Sequence, residues 1–303
     1  MEFKNVTSNI KDSFISYQCD LVELNAIYNG ESGFDKHDLI HLYSRKKEQY
    51  LYDLFSVLSE RLERFGEEVY PFELNYDELS IRVRSKHTER SQLYLFLLIC
   101  SMHDKIKQQK GNELESAFEY LSTLLLRDFM PSHAQVHHFG SSSYQQDRYK
   151  GSLSQKIDTL ADDIGCDACY DPDEIPLTNR GDGGLDVVAW IPFPSDAFLG
   201  KIPIFLGQCT IGRQDWIRKQ ADVNRMMTNI VFPRSLTNMM FVPHCLRKVD
   251  GSMYKKDIYA DTIFDRFRFI SLLSGKHLVE FSETKIFEEL VALVKIYSNN
   301  ILD

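Results

Sequence analysis

The sequence predicts an α/β protein in which a mixed β-sheet flanked by helices follows a mainly helical N-terminal domain. Apolar residues recur at helical spacing through most of residues 1–130. Alternating strand-like runs and glycine-rich turns follow residue 180, and the polar stretch between the two regions has no helical apolar stripe. We therefore predict a helical domain over 1–130, a linker over 131–150 and an α/β domain over 151–303.

Composition indicates a globular chain without a membrane segment. The 303 residues are 43% hydrophobic and 26% charged, which is enough for two domains with their own cores. The longest apolar run, 93–100, is far shorter than the roughly 20 residues that span a bilayer, and the N-terminus does not resemble a signal peptide. We expect a cytoplasmic protein whose six cysteines are reduced thiols.

The charge is unevenly distributed along the chain. Residues 151–210 contain 3 Lys and Arg against 10 Asp and Glu, whereas residues 211–303 contain 14 against 11. Carboxylates gather cations, and Arg and Lys side chains bind phosphates. The asymmetry fits a cation site beside a phosphate-binding surface, although an ordinary solvated surface produces the same counts.

The N-terminal half reads as helices interrupted by one strand-like piece. Apolar spacing predicts a long amphipathic helix over 38–65, which Gly66 ends. Alternation over 79–83 predicts a strand, and a buried helix is expected over 89–107. Asn112 and Glu115 then form the pattern of a capping box for a further helix.

In the C-terminal half, segments with helical spacing of apolar residues alternate with segments of strand-like spacing. We predict a helix over 153–164, a helix over 215–230 and a closing helix over 283–297, with strands at 185–190, 202–209, 239–242 and 267–272.

A polar constellation lies between two of these strands. The run Gly181-Asp182-Gly183-Gly184-Leu185-Asp186 enters the first strand, and Gln208 and Thr210 end the next. Alternate residues of a strand share a face, so Asp186 could meet Gln208 across the hairpin. Gly183 and Gly184 allow a tight turn and a close backbone approach to a phosphate.

This pattern resembles the core of the PD-(D/E)XK nuclease superfamily, most closely its Mrr-like branch, in which a Gln replaces the usual second acid. The resemblance implies a restriction-endonuclease-like fold and Mg²⁺- or Mn²⁺-dependent hydrolysis of DNA, in the setting of restriction or anti-phage defence. It assigns Asp186 as the metal-binding aspartate and Gln208 as the second metal-site residue. DNA is the implied partner, and a second protein subunit of a defence system or a homodimer is compatible with it.

Two positions depart from the family pattern. The family lysine is replaced by Thr210, whose hydroxyl cannot supply a positive charge. Lys219 on the following helix is the first candidate to replace that lysine and Lys201 the second, although a solvated helix face explains Lys219 equally well. The family also places a glutamate on the first helix of this domain, where counting back from Gly165 reaches Gln155.

Further residues complete the predicted site. Asp158 lies one helical turn beyond Gln155 and is expected to add a metal ligand from the same face. The residues expected to contact nucleic acid, mainly through phosphates, are Gly183, Gly184, Thr210, Arg213 and Arg218.

Two alternatives stay open at this point. Thr210 and Gln155 also favour a catalytically inactive module that binds DNA or a partner protein without cutting. Cys166 and Cys169 have the spacing of half a zinc site, which His244 and Cys245 could complete. The helical N-terminal domain matches no known activity and is expected to sense, regulate or recruit.

Overall fold

The computed structural model describes residues 15–105, 111–140, 148–195, 200–213, 215–219, 226, 229–232, 236–248, 250–253 and 258–299. All predicted site residues lie within these ranges. Residues 220–225, 227 and 228 of the helix predicted over 215–230 lie outside them.

The N-terminal part is mainly helical, as predicted. A two-stranded antiparallel hairpin of β1 (Phe72–Asn75) and β2 (Ser80–Val83) lies between its helices. The helices are α1 (Ile15–Tyr28), α2 (Lys36–Leu42), α3 (Gln49–Phe65), α4 (Glu89–Ser101) and α5 (Gly111–Phe129). None of the helices in the described ranges combines the length and the apolar character that crossing a bilayer requires.

A five-stranded mixed sheet follows, in the order β3-β4-β5-β6-β7. The first three strands are antiparallel neighbours, whereas β5, β6 and β7 run parallel. Their bounds are β3 Gln135–His138, β4 Val187–Trp190, β5 Ile204–Cys209, β6 Leu236–Phe241 and β7 Thr262–Phe264. The helices of this part are α6 (Leu153–Ile164), α7 (Asp215–Lys219), α8 (Arg266–Leu272), α9 (Gly275–Ser282) and α10 (Lys285–Asn299).

Both faces of the sheet are covered, which explains the continuous apolar character of β4. Val187 and Ala189 point into a core that includes residues of α1, α4, α5 and the last three helices. Val188 and Trp190 point the other way, into a smaller core formed with α6. The sheet therefore lies between two helical layers, one of which is built largely from the N-terminal half.

A buried charge network joins the N-terminal helices to α8. Asp20 and Glu23 of α1 accept hydrogen bonds from Arg61 of α3 at 2.7 and 2.8 Å. Arg266 donates to Asp20 at 2.9 and 3.1 Å, and the side chains of all four residues are fully buried. Because each charge faces an opposite one, the network compensates its own desolvation while fixing α1 between α3 and α8.

Three expectations about secondary structure are corrected. The predicted linker 131–150 contains β3, which pairs with β4 over Gln135–His138. The predicted helix 38–65 is interrupted between α2 and α3. Residues 44–48, which lie in the interruption, are polar and exposed and offer no apolar side chain to the core.

The predicted strand 267–272 is instead helix α8. Its alternating apolar residues resembled a strand pattern. Asp265 begins the helix, however, because its side chain accepts a hydrogen bond from the backbone N–H of Arg268.

The charge network makes a prediction about stability. Arg266→Met removes the guanidinium that binds Asp20 and leaves buried negative charge poorly compensated, so the free energy of unfolding should fall by about 3–5 kcal/mol. Urea denaturation measures this change. Arg82→Met is the matched control, because the Arg82 side chain is 65% exposed and lies 3.8 Å from Glu73; its effect should stay within about 0.5 kcal/mol. Equal effects of the two substitutions would contradict the prediction.

Candidate active site at the end of strands β4 and β5

Strand pairing brings Asp186 and Gln208 together. The antiparallel register pairs Val187 with Gly207, and the backbone N–H of Asp186 donates to the carbonyl of Gly207 at 3.0 Å. Asp186 and Gln208 are therefore neighbours across the two strands and lie on the same face of the sheet. The sequence pattern predicted this placement on one face, and the role of the two residues as metal ligands stays a prediction.

The carboxylate of Asp186 is held in a buried position. Its Oδ2 accepts a hydrogen bond from the backbone N–H of Cys209 at 2.6 Å. The residue is only 6% exposed. Its backbone carbonyl accepts from the N–H groups of Phe139 and Gly140 at 2.7 and 3.1 Å, so the segment after β3 also fixes its position.

The surroundings of Asp186 disfavour its charge. Burial raises the pKa of Asp186 well above its usual value, and the carboxylates of Glu119 and Asp182 raise it further. The N–H of Cys209 and the ammonium of Lys219 act in the opposite direction. A buried acid with this much negative charge nearby either takes up a proton or binds a cation.

Gln208 offers an oxygen without a partner. The residue is 4% exposed, and its Oε1 accepts no hydrogen bond from any of the described residues. A buried amide oxygen normally has a donor, so this atom is available to a ligand. An amide oxygen beside a carboxylate fits Mg²⁺ or Mn²⁺, because Mg²⁺ binds oxygen and needs few protein ligands.

The glycine-rich turn before Asp186 has the conformation that glycine permits. Gly183 and Gly184 have φ values of 65° and 84°, which other residues rarely adopt. The side chain of Asp182 accepts from the N–H of Gly184 at 2.8 Å and stabilises the turn. The turn places the Asp182 carboxylate close enough to affect Asp186 electrostatically.

Lys219 acts electrostatically on the acid. It is half-buried at the end of α7, and its charge lowers the pKa of both Asp186 and Cys209. Its neighbour Arg218 is exposed. Thr210 is buried, and its hydroxyl accepts from the N–H of Gly212 at 3.2 Å, within the turn that leaves β5.

Two predicted residues of α6 are not part of this arrangement. Gln155 is exposed and caps its own helix, since its Oε1 accepts from the N–H of Ser152 at 2.9 Å. Asp158 is also exposed and accepts a hydrogen bond from the hydroxyl of Tyr170 at 3.1 Å. Both lie on the face of α6 that points away from the sheet, because the opposite face forms the apolar core.

Arg213 is half-buried, and its guanidinium is engaged by other parts of the protein. Its guanidinium lies 5.2 Å from the ring centroid of Tyr17 and donates to Met102 Sδ at 2.6 Å. The side chain therefore fastens the β5–α7 connection to α1 and to the residue that follows α4, rather than pointing freely to a phosphate as expected.

Two residues near Asp186 were missed by the sequence reading. Glu119 of α5 interacts electrostatically with Asp186, and its Oε2 lies 3.0 Å from Nε2 of His138. Lys156 of α6 is 2% exposed and donates to the carbonyl of Phe139 at 3.2 Å. Lys156 lies on the apolar face of α6 beside Leu153 and Ile157. A charged residue at such a position is the sequence signal that could have revealed this lysine.

The zinc alternative is not supported by the geometry. The one set of three His, Cys, Asp or Glu residues in the described part of the chain with ligand atoms within 4.8 Å of one another is Asp35, His37 and Asp38. Cys166 and Cys169 therefore form no such cluster with His244 and Cys245. Asp35 caps helix α2 through the N–H groups of His37 and Asp38.

Comparison with known proteins gives one distant likeness. No protein-family model matches the chain, and no curated protein matches it. Among solved structures, the chain is similar to the MspJI restriction endonuclease in complex with a 27-mer oligonucleotide, with a TM-score of 0.31 and 15% sequence identity. The match covers 72% of this chain and 40% of that one, so the chain spans less than half of its neighbour's length. A likeness of this size carries no argument about function.

Burial of the acid makes a testable prediction about stability. Asp186→Asn should stabilise the metal-free protein at about pH 8 by about 0.5–2 kcal/mol, because an amide of the same shape replaces a buried charge. A raised folded pKa means that the native state loses stability as the pH rises through the range between the unfolded and folded values. The gain should therefore shrink toward about pH 4, and urea denaturation at the two pH values measures it.

The control is Asp158→Asn, which removes an exposed carboxylate from α6 and should change the unfolding free energy little at either pH. If Asp186→Asn destabilises the protein at about pH 8, the carboxylate is better compensated than its surroundings indicate.

Proposed function

We propose that the chain is a metal-dependent DNA endonuclease that hydrolyses phosphodiester bonds. The observation that carries the proposal is the pairing of a buried carboxylate, Asp186, with the unpartnered buried amide oxygen of Gln208 at the end of two adjacent strands. The resemblance of the Gly181–Asp186 run and Gln208 to the PD-(D/E)XK pattern supports the same function. Restriction or anti-phage defence is the setting that this resemblance implies.

In this proposal Asp186 and Gln208 hold Mg²⁺ or Mn²⁺. A bound cation of this kind lowers the pKa of a coordinated water and stabilises the charge that builds up on the scissile phosphate. The N–H of Cys209 keeps the Asp186 carboxylate oriented through Oδ2. Lys219 supplies positive charge beside the acid and assists the attacking water or the transition state.

In the proposal, the phosphate backbone of the DNA is bound beside Asp186. The glycine turn offers its backbone to a phosphate, although a Cβ on Gly183 would face the interior beside Met226 and Leu153, and Arg218 is exposed on α7. Arg213 is left out of this proposed role, because Tyr17 and Met102 engage its guanidinium.

A second candidate function is a binding module that does not cut. Thr210 favours it, since this residue stands where the family has its lysine and uses its hydroxyl to accept from Gly212. Such a module would retain the acid and the glycine turn and bind DNA or a partner protein.

Plasmid cleavage separates the two candidates. The purified full chain should nick or linearise plasmid DNA with Mg²⁺ or Mn²⁺, and Asp186→Asn should lower the rate by about 10³-fold, because the cation loses its charged ligand. Asp158→Asn should cut at the wild-type rate. DNA binding without cutting in all three proteins would favour the binding module.

Lys219 and Arg218 should have different defects, although they are adjacent. Lys219→Met should lower the single-turnover rate by about 10²-fold with little change in DNA affinity, because it acts on the reacting groups. Arg218→Met should weaken DNA binding and reduce the slope of its salt dependence by about 1, with the bound rate unchanged. The reverse pattern would assign the reacting group to Arg218.

A further inference from the structure

Tyr17 of α1 forms hydrogen bonds with the chain that leads from β5 into α7. Its hydroxyl donates to the backbone carbonyl of Arg213 at 3.1 Å and accepts from the indole N–H of Trp216 at 2.9 Å. Tyr17 and Trp216 are only 3% and 1% exposed. One buried hydroxyl thus joins α1 to the C-terminal half at two points, as donor to one and acceptor from the other.

The ring of Tyr17 also contacts this region. The guanidinium of Arg213 lies 5.2 Å from the ring centroid, and the imidazole of His244 meets the ring edge-on, with 5.3 Å between centroids. The side chain of Tyr17 is therefore surrounded by residues of the C-terminal half.

Helix α1 is itself fixed close to Tyr17. The hydroxyl of Ser16 donates to the carbonyl of Cys245, after β6, at 2.5 Å. One turn further along α1, Asp20 accepts from Arg266 of α8 within the buried charge network. Tyr17 therefore projects from a helix that is held on both sides of it.

The segment that Tyr17 holds begins at the candidate site. Gln208 lies in β5, and the backbone N–H of Thr210 donates to the carbonyl of Phe241 in β6 at 3.1 Å. Strand β6 fixes the connection where it leaves the sheet, and Tyr17 fixes its other end.

The same segment leads to Lys219 of α7. Lys219 follows Trp216 by three residues, and residues at this spacing are neighbours on one side of a helix. Because the indole of Trp216 is anchored to Tyr17, the direction in which Lys219 leaves α7 depends on the same hydroxyl.

We propose that Tyr17 is a positioning residue of the site, whose hydroxyl holds α7 so that Lys219 faces the reacting groups. The inference rests on the proposed function and gives the N-terminal half a part in it. Tyr17→Phe keeps the ring but leaves the buried N–H of Trp216 without its acceptor, so α7 has to move to satisfy it. Lys219 then moves with the helix.

Lysine labelling tests the inference without any measurement of cutting. The full chain is acetylated with trace acetic anhydride, and mass spectrometry compares the labelling of Lys219 with that of the exposed Lys150 in the same sample. Tyr17→Phe should raise this ratio by about threefold or more, because the reactivity of an amine follows its burial and the charges around it. An unchanged ratio in the folded variant would overturn the proposal.

Tyr43→Phe is the matched control. Tyr43 is also buried, and its hydroxyl donates to the carbonyl of Gln18 in α1 at 3.4 Å, a contact within the N-terminal half. Lys219 of this variant should be labelled as in the wild type. A ratio raised equally by both substitutions would indicate general loosening of the core and would sink the inference.

Single-turnover cleavage gives a second readout. Tyr17→Phe should lower the rate about tenfold and change DNA affinity by less than about twofold, because a displaced reacting group affects the chemical step rather than the binding of phosphates. In the Lys219→Met background the same substitution should have less than about a twofold effect, since the group that it positions is already absent. Effects that multiply would show that Tyr17 does not act through Lys219.

Trp216→Phe breaks the same hydrogen bond from the side of α7. It should raise the labelling of Lys219 and lower the single-turnover rate, and it replaces Tyr17→Phe in both measurements if that variant does not fold. Wild-type labelling of Lys219 in folded Trp216→Phe would also contradict the proposal.

The outcomes separate this inference from the proposed function. Increased labelling of Lys219 in Tyr17→Phe, without plasmid cleavage by any form, would retain the positioning of α7 and reject the endonuclease. Cleavage that depends on Asp186, together with a wild-type rate in Tyr17→Phe, would retain the endonuclease and reject the inference.

Discussion

The candidate site depends on the antiparallel register of β4 and β5. Pairing Val187 with Gly207 puts Asp186 opposite Gln208 on one face, and a slip of one residue would turn the two side chains to opposite faces. Apolar neighbours make such a slip unfavourable, because β4 is buried on both faces between two cores. The energy of packing the sheet is therefore what keeps a costly polar pair in place.

Two buried groups of charged residues within the described ranges differ in how well their charges are compensated. Asp20, Glu23, Arg61 and Arg266 form a balanced set of two acids and two bases, held by short hydrogen bonds within a fully buried core. Among the described residues, the carboxylates of Glu119 and Asp182 act on Asp186 against the single ammonium of Lys219, and the oxygen of Gln208 has no donor there. The balanced cluster needs nothing further and serves the fold. The second cluster lacks such compensation, and this is the feature on which the proposed cation site rests.

Local patterns predicted the parts of the site that are adjacent in sequence. Gly183, Gly184 and Asp186 could be read directly, because a turn and the strand that follows it are specified by neighbouring residues. Glu119 and Lys156 could not, since their relation to Asp186 arises from the packing of two helices onto opposite faces of the sheet. Gln155 was chosen by counting along the same helix, but the rotation of α6 points it to solvent and turns the adjacent residue inward.

Helix α1 was missed for a related reason: it is buried on nearly all sides, so it has no polar stripe to produce an amphipathic pattern. Because α1 is buried against the rest of the protein, the N-terminal half helps to position residues of the site. The hydroxyl of Tyr17 donates to the carbonyl of Arg213 at 3.1 Å and accepts from Trp216 Nε1 at 2.9 Å, so α1 fixes the first turn of α7. Lys219 lies one turn further along that helix. The charge beside Asp186 is thus positioned through α1, and anything that shifts α1 changes the electrostatics of the acid without touching it.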